Sequence, residues 1–210
     1  RNHRLPSPPF PSPTHPFRQM TTPQPRILIT AGPTYEPIDA VRFVGNRSSG
    51  RLGSALADAA ARRGWNATLL LGPNALRPQD PRVAVHPFRS TDDLDQALRA
   101  HLPHADLLVM AAAVADYRPV ATPELLAGKR RRSAGSLTLE LEPTPDLLAA
   151  CAARRRPGQI LCGFALEPED GLLDAARDKL ARKGIDCLVA NPLETMDAPD
   201  IRATLIRSDG

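Results

Sequence analysis

Several features that would fix a function class at once are missing from this sequence of 210 residues. No apolar run approaches the roughly 18 residues that a membrane-spanning helix needs, so we expect no membrane partner. The three cysteines, Cys151, Cys162 and Cys187, are widely spaced and form no CxxC pair, which argues against a disulfide framework and a zinc site. We therefore expect small, buried thiols in a protein of the reducing cytoplasm.

Acidic residues are absent from the first 26 positions, which contain Arg1, Arg4, Arg18 and Arg26. The formal net charge of +4 therefore arises in this region, and from Ile27 onward 23 basic residues balance the 23 acidic ones. A formally neutral body argues against a nucleic-acid groove, so we expect no nucleic-acid partner.

The first 25 residues are rich in proline and lack a sustained apolar stretch, which predicts a disordered tail. They also lack the apolar core of a secretory signal. Met20 is a candidate for the natural start, with the preceding residues being read-through or a linker. We expect a single ordered domain over residues 26–210 whose natural chain continues beyond Gly210.

Strand and helix patterns alternate through the rest of the chain. Predicted strands cover 26–32, 67–73, 83–88, 105–117 (running into a loop), 136–143 (half-buried), 159–166, 186–192 and an exposed edge at 202–210; predicted helices cover 48–63, 90–101, 145–156 and 168–183. Ser90 and Asp93 have the spacing of a helix N-cap and its N3 acid. Strands separated by helices predict an α/β fold, a Rossmann-like, mostly parallel sheet flanked by helices.

The glycine pattern GxGxxG and a Walker loop are both missing, so the usual phosphate-binding signals do not apply. In an open parallel sheet, ligands bind beyond the carboxyl ends of the strands, here after Gly32, Ala112 and Phe164. The first of these connections is long, and it ends in residues 46–50, Asn-Arg-Ser-Ser-Gly, before a helix. This sequence favours a phosphate or oxyanion cradle; an ordinary cap formed by Ser48 is the alternative.

Lysine is scarce: among 27 basic residues, only Lys129, Lys179 and Lys183 are lysines. A chain so biased toward arginine can keep lysine where a compact ammonium is needed, as at a triphosphate. Lys179 and Lys183 lie one helical turn apart and continue the apolar stripe of the last helix, which places them on its buried face. The alternative is that they extend along the surface and complement the helix C-terminus. The basic run 129–132 is either a solvated loop or a phosphate clamp.

Four segments in order resemble the phosphopantothenate–cysteine ligase family. They are TAGPTYEPIDAVRFVGNRSSGRLG at 30–53, MAAAVADYRP at 110–119, GFALE at 163–167 and KLARKGIDCLVAN at 179–191. The similarity extends from Arg26 to Asp209. The chain departs from the family pattern at Pro33, where the family has glycine, at Arg51, where it has lysine, and in a basic tract KRRR in place of KxKK.

The resemblance implies a two-step ligation. The carboxylate of 4′-phosphopantothenate attacks the α-phosphate of CTP, pyrophosphate leaves, and the amino group of cysteine then attacks the acyl-nucleotide. It further implies Mg²⁺ on the phosphates, no flavin, and a homodimer. An NAD(P)-dependent oxidoreductase and a non-catalytic nucleotide-binding protein are the alternatives, the former disfavoured by the missing GxGxxG and Tyr-x-x-x-Lys patterns.

Site residues follow from the same resemblance. The catalytic positions would be Asn46, Arg42 and Lys129, and the metal position Asp116. The nucleotide positions would be Met110, Ala111, Ala112, Asp116, Lys129, Pro145, Asp146, Leu147, Leu148, Phe164, Lys179 and Lys183. The substrate or phosphate loop would comprise Gly32, Arg47, Ser48, Ser49 and Gly50.

Overall fold

Seven strands form the central sheet of the computed structural model, which describes residues 24–129, 131, 135–195 and 202–209. Together with four strands outside this sheet, the described residues form β1 Arg26–Ala31, β2 Tyr35–Pro37, β3 Phe43–Gly45, β4 Asn66–Leu71, β5 Ala84–Pro87, β6 Leu107–Met110, β7 Tyr117–Pro119, β8 Leu141–Pro143, β9 Ile160–Glu167, β10 Cys187–Pro192 and β11 Thr204–Arg207. The sheet order is β11-β10-β9-β6-β1-β4-β5, and β11 alone among these seven pairs antiparallel. The prediction of a mostly parallel α/β sheet is confirmed.

The helices cover both faces of this sheet. They are α1 Arg51–Arg62, α2 Thr91–His101, α3 Pro123–Leu126, α4 Leu147–Arg154 and α5 Leu172–Lys183, with a short 3-10 turn at Leu102–His104 and another at Leu193–Thr195. Leucines of α2, α4 and α5 pack in one core with alternate strand residues. Small residues of α1 pack in a second core on the opposite face. Within the described ranges, no helix combines the length and apolarity that crossing a bilayer requires.

Helix boundaries follow local capping. Ser90 accepts the N–H of Asp93, and the Asp93 side chain accepts the N–H of Ser90, so the predicted start of α2 is confirmed. The expected starts at Ser48, Pro145 and Pro168 are wrong by two to four residues, because Gly50, Asp146 and Gly171 are the N-caps. α4 also ends at Arg154 rather than 156.

The segment 136–143 does not form the half-buried strand that its alternation predicts. Only β8 within it is a strand, it is exposed on both faces, and it pairs with β7 in a separate two-stranded sheet. The alternation fails because this segment has no place in the large sheet to bury one face. The long first connection likewise contains an antiparallel pair, β2 and β3, that the pattern did not predict.

The cysteines are free; Cys151 and Cys162 are buried and Cys187 is partly buried, close to the expectation. Of the expected disordered tail at 1–25, residues 1–23 lie outside the described residues.

Glycines let α1 approach the end of β1 closely. Gly53 faces β1, where a Cβ added to it would lie 2.4 Å from the Cβ of Ala31. Gly32 and Gly50 both have positive φ angles, 85° and 66°, and each approaches the side chain of Ala75. The helix that follows the first connection therefore begins directly against the carboxyl end of β1.

We predict that Gly53→Ala destabilises the protein by about 1–3 kcal/mol, because the added methyl overpacks the contact between α1 and β1. Helix propensity by itself would make alanine more favourable than glycine by about 1 kcal/mol at this position. A loss of stability would therefore report the overpacking and not the propensity. The measurement is the midpoint of urea unfolding. Gly128→Ala is the matched control, since a Cβ there meets nothing within 4 Å; equal midpoints for the two variants would contradict the close approach.

Candidate functional site

A cavity of about 220 Å³ lies beyond the carboxyl ends of β6 and β9. Its lining comes from the loop after β6, the start of α4, the end of β9 and the last two turns of α5. The lining residues are Met110, Ala112, Val114, Ala115, Asp116, Thr144, Pro145, Asp146, Leu147, Leu148, Phe164, Lys179 and Lys183. This is where an open parallel sheet binds ligands.

Ten of the twelve nucleotide positions expected from the sequence meet in this cavity. Ala111 and Lys129 are not among its lining residues. Val114, Ala115 and Thr144 also line the cavity, although they were not among the expected positions. Of these three, Thr144 alone has a local sequence feature that indicates a site, because its hydroxyl lies between two prolines directly before a helix.

The two α5 lysines face the cavity, as their helical spacing predicts, but their environments differ. Lys183 donates to Asp146 Oδ1 at 3.0 Å, and its side chain is only 17% exposed. Asp146 also caps α4 by accepting the N–H of Ala149. Burial favours the neutral acid, but the Ala149 N–H and Lys183 outweigh it and hold the pKa of Asp146 below its usual range.

Lys179 contributes positive charge that burial makes costly. Burial, and then the neighbouring Lys183 ammonium, lower the pKa of Lys179, while the carboxylates of Glu167 and Asp116 act in the opposite direction. An anion in the cavity would remove part of this penalty. The site is therefore suited to a negatively charged ligand.

Hydrogen bonds to its main chain hold the loop after β6. The side-chain amide of Asn46 donates to the carbonyls of Ala113 and Val114 at 3.2 and 3.0 Å. Thr34 Oγ1 accepts the N–H of Ala115 at 3.0 Å. On the other side, the hydroxyl of Thr144 donates to the carbonyl of Ala115 and its N–H to the carbonyl of Asp116. The long first connection thus contacts the cavity through Asn46.

A tight turn in the first connection holds Arg42. Asp39 is buried, and its carboxylate accepts the N–H groups of Val41 and Arg42 as well as the Arg42 guanidinium. This contact raises the pKa of Arg42, which as an arginine is charged at physiological pH in any case. The N–H of Ala40 also donates to the carbonyl of Gly128, which brings Lys129 beside this turn.

Residues 46–50 lie at the N-terminus of α1, as expected. The N-cap of α1 is Gly50 and not Ser48, so the alternative of an ordinary Ser48 cap is wrong. Arg47 and Ser49 are exposed, Ser48 is half-buried, and Gly32 and Gly50 are buried where the helix meets β1. The Ser49 carbonyl accepts the N–H of Leu76. This loop lies outside the cavity lining but is joined to it by Asn46.

Asp116 is an exposed carboxylate at the mouth of the cavity. Among the described residues, no group of three or more His, Cys, Asp or Glu side chains could hold a metal ion by itself. Magnesium that accompanies a polyphosphate typically uses one or two protein carboxylates plus phosphate oxygens and water. A single carboxylate therefore fits an ion carried by the ligand.

The family model described as "DNA/pantothenate metabolism flavoprotein C-terminal domain" matches residues 23–210. The bifunctional protein CoaBC of coenzyme A biosynthesis from Mycobacterium tuberculosis is 43% identical over 198 residues, 88% of this chain and 46% of its own length. A protein from an unidentified prokaryote, named cysteine/cysteine sulfinic acid decarboxylase, is 43% identical over 80% of this chain and 46% of its own length. The chain thus spans about half of each relative.

Among solved structures, the C-terminal domain of a CoaBC protein superposes with a TM-score of 0.73 at 36% identity. The similarity covers 89% of this chain and 83% of that domain.

We predict that affinity for inorganic triphosphate falls as pH rises, beginning below the ordinary lysine range near pH 10, because Lys179 loses its proton early. Calorimetric titrations between about pH 7 and 10 measure this. Lys179→Arg is the matched control, since the guanidinium stays charged throughout. Parallel affinity curves for the two proteins would show that Lys179 does not contribute its charge to the ligand.

Proposed function

Because the chain belongs to the DNA/pantothenate metabolism flavoprotein C-terminal domain family, we propose that it is a phosphopantothenate–cysteine ligase of coenzyme A biosynthesis. It joins 4′-phosphopantothenate to L-cysteine through an acyl-cytidylate and releases pyrophosphate and CMP. The observation that carries this proposal is the cavity: ten positions expected from the resemblance to the ligase family converge there, with two lysines on one wall. The relatives named CoaBC support the same pathway.

The first half-reaction needs positive charge where negative charge develops. The pantothenate carboxylate attacks the α-phosphate of CTP, and the bond to pyrophosphate breaks. Lys179 and Lys183 lie on the cavity wall, where their charge would stabilise the leaving pyrophosphate. Lys129, beside the Arg42 turn, is proposed to reach the triphosphate from the other side. The main chain at Met110, Ala111 and Ala112, with Pro145 to Leu148 and Phe164, would hold the base and ribose.

Magnesium would be held by Asp116 together with phosphate oxygens of the nucleotide. Bound there, the ion neutralises phosphate charge that the lysines do not reach. The proposed chemistry uses no flavin, since neither half-reaction transfers electrons.

The second half-reaction takes place at the first connection. The amino group of cysteine attacks the acyl carbonyl, and the bond to CMP breaks. Asn46 is proposed to orient the acyl-nucleotide, and Arg42 to neutralise the pantothenate phosphate or the intermediate. The loop of Gly32, Arg47, Ser48, Ser49 and Gly50 would supply backbone N–H groups and hydroxyls at the start of α1.

We further propose that residues 26–210 constitute the ligase unit, that it acts in the cytoplasm on small molecules only, and that it works as a homodimer. Exposed apolar side chains support the dimer. Val41 in the turn between β2 and β3, Phe43 on β3, and Tyr117 and Leu141 of the β7–β8 pair are each 42–58% exposed, and β2 contacts β7. Exposed apolar side chains on two neighbouring β pairs are typical of an interface.

Single-turnover mixtures analysed by mass spectrometry test the function. With phosphopantothenate, CTP and Mg²⁺, the protein should release pyrophosphate, and cysteine should then yield phosphopantothenoylcysteine; CTP should outperform ATP at equal concentration. Asn46→Asp should still release pyrophosphate but accumulate the acyl-nucleotide, because the added charge disfavours its productive pose. Lys179→Ala should slow the first step on the order of a hundredfold.

Other outcomes are equally informative. Hydride transfer to a nicotinamide would establish the oxidoreductase alternative, and CTP binding without turnover the non-catalytic one. Asn46 also donates to two carbonyls of the cavity loop. If Asn46→Asp blocks pyrophosphate release as completely as Lys179→Ala, its role is to hold that loop and not to orient the intermediate.

Light scattering tests the dimer. We expect a mass of two chains at micromolar concentration, and a mass of one chain for Leu141→Lys, because a charge on β8 would be buried in the interface. Leu205→Lys is the control: Leu205 is 59% exposed, against 46% for Leu141, but it lies on β11 at an edge of the seven-stranded sheet and outside the β7–β8 pair. A monomeric wild-type protein contradicts the proposal.

A further inference from the structure

Glu36 is a buried carboxylate that the proposed mechanism does not use. It is 2% exposed, and its Oε1 accepts both the N–H and the hydroxyl of Thr91, at 2.9 and 2.7 Å. Thr91 is the first residue of α2, so the carboxylate also lies at the positive end of a helix dipole. Glu36 is thereby fixed to a helix that lies outside the cavity.

Thr34 lies two residues before Glu36 in an extended segment, so both side chains point to the same side. Thr34 is fully buried, and its Oγ1 accepts the N–H of Ala115 at 3.0 Å. The hydroxyls of Thr34 and Thr91 are 3.5 Å apart. The segment therefore contacts α2 at one position and the cavity loop at the other.

The acceptor-only carboxylate sets the direction of this chain of hydrogen bonds. The hydroxyl of Thr91 has one proton, and it donates that proton to Glu36. The hydroxyl of Thr34 can then donate only toward Thr91 Oγ1, which leaves its own oxygen free to accept from Ala115. The donors from Ala115 to Glu36 consequently point the same way, and the 3.5 Å contact between the two hydroxyls is the longest link in the series.

We propose that Glu36 is a positioning residue for the cavity that is proposed to bind the nucleotide. Through Thr91 and Thr34 it fixes the N–H of Ala115, and with it the backbone that carries Asp116. Thr144 holds the carbonyl groups of the same two residues from the opposite side. Breaking this series of hydrogen bonds at Glu36 or Thr34 therefore releases one side of the loop after β6 while leaving every lining side chain in place.

This inference rests on the proposed function, and the test pairs each disruptive variant with a conservative one. Thr34→Val removes the acceptor for Ala115, whereas Thr34→Ser keeps it. We expect Thr34→Val to raise KM for the nucleotide about tenfold, with KM for phosphopantothenate unchanged and Thr34→Ser close to wild type. A purely structural role would change both KM values and kcat together with the unfolding midpoint.

Amide hydrogen exchange at Ala115 and Asp116 tests the contribution of Glu36 without any assay of activity. Glu36→Met should speed exchange there about tenfold, whereas Glu36→Gln, which keeps the acceptor oxygen, should not. If Glu36→Met does not fold, the comparison of Thr91→Val with Thr91→Ser replaces the comparison of the two Glu36 variants. Equal exchange within the pair, or equal nucleotide KM for Thr34→Val and Thr34→Ser, overturns the inference. Absence of pyrophosphate release by the wild-type protein would refute the proposed function alone, because the exchange comparison still decides the positioning.

Discussion

The candidate site depends on the hydrogen bonding of a short stretch of main chain, residues 113–116, where the chain leaves the centre of the sheet. Ala113 continues the pairing of β6 with β1, since its N–H donates to Gly32 and its carbonyl accepts from Thr34. The carbonyl of Val114 is bound by Asn46, and both polar groups of Ala115 are bound by threonine side chains. A loop whose backbone groups are satisfied by side chains from three directions is rigid without belonging to a strand. The cavity can therefore be formed largely by a loop and still be preorganised.

The charged side chains around this loop also make more than one contact each or lie partly buried. One carboxylate, Asp146, both caps α4 and pairs with Lys183, so the start of one helix and the end of another are tied together at the cavity. Lys179 lies one turn earlier and carries a charge that burial disfavours. Burial by itself makes that ammonium unfavourable. The same desolvation strengthens its electrostatic contact with a bound anion, so a buried cation suits a phosphate site.

The buried acids of the first connection serve a different purpose. Glu36 and Asp39 are both almost fully buried, and each accepts hydrogen bonds from main-chain N–H groups as well as from a side chain. Asp39 supplies polar partners to main-chain groups within the connection, and Glu36 joins the connection to the start of α2. Close approach at Gly32, Gly50 and Gly53 then brings the end of that segment against β1. In this way a connection with little regular structure is held in one conformation beside the cavity.

The sequence by itself determined the sheet and its flanking helices, and its resemblance to the ligase family indicated most of the cavity lining. Apolar runs bounded by glycine and proline identify buried strands, and the spacing of Lys179 and Lys183 from Leu172 and Ala176 determines their helix face, because both signals are local. The tertiary structure alone decided the partners: that Asp146 pairs with Lys183, that Asn46 binds the main chain of a loop 67 and 68 residues away, and that Glu36 binds Thr91. It also decided that 136–143 has no place in the large sheet, although its alternation is that of a half-buried strand. Pairings across long sequence separations depend on how strands are ordered and how closely helices approach them, and no local pattern encodes those distances.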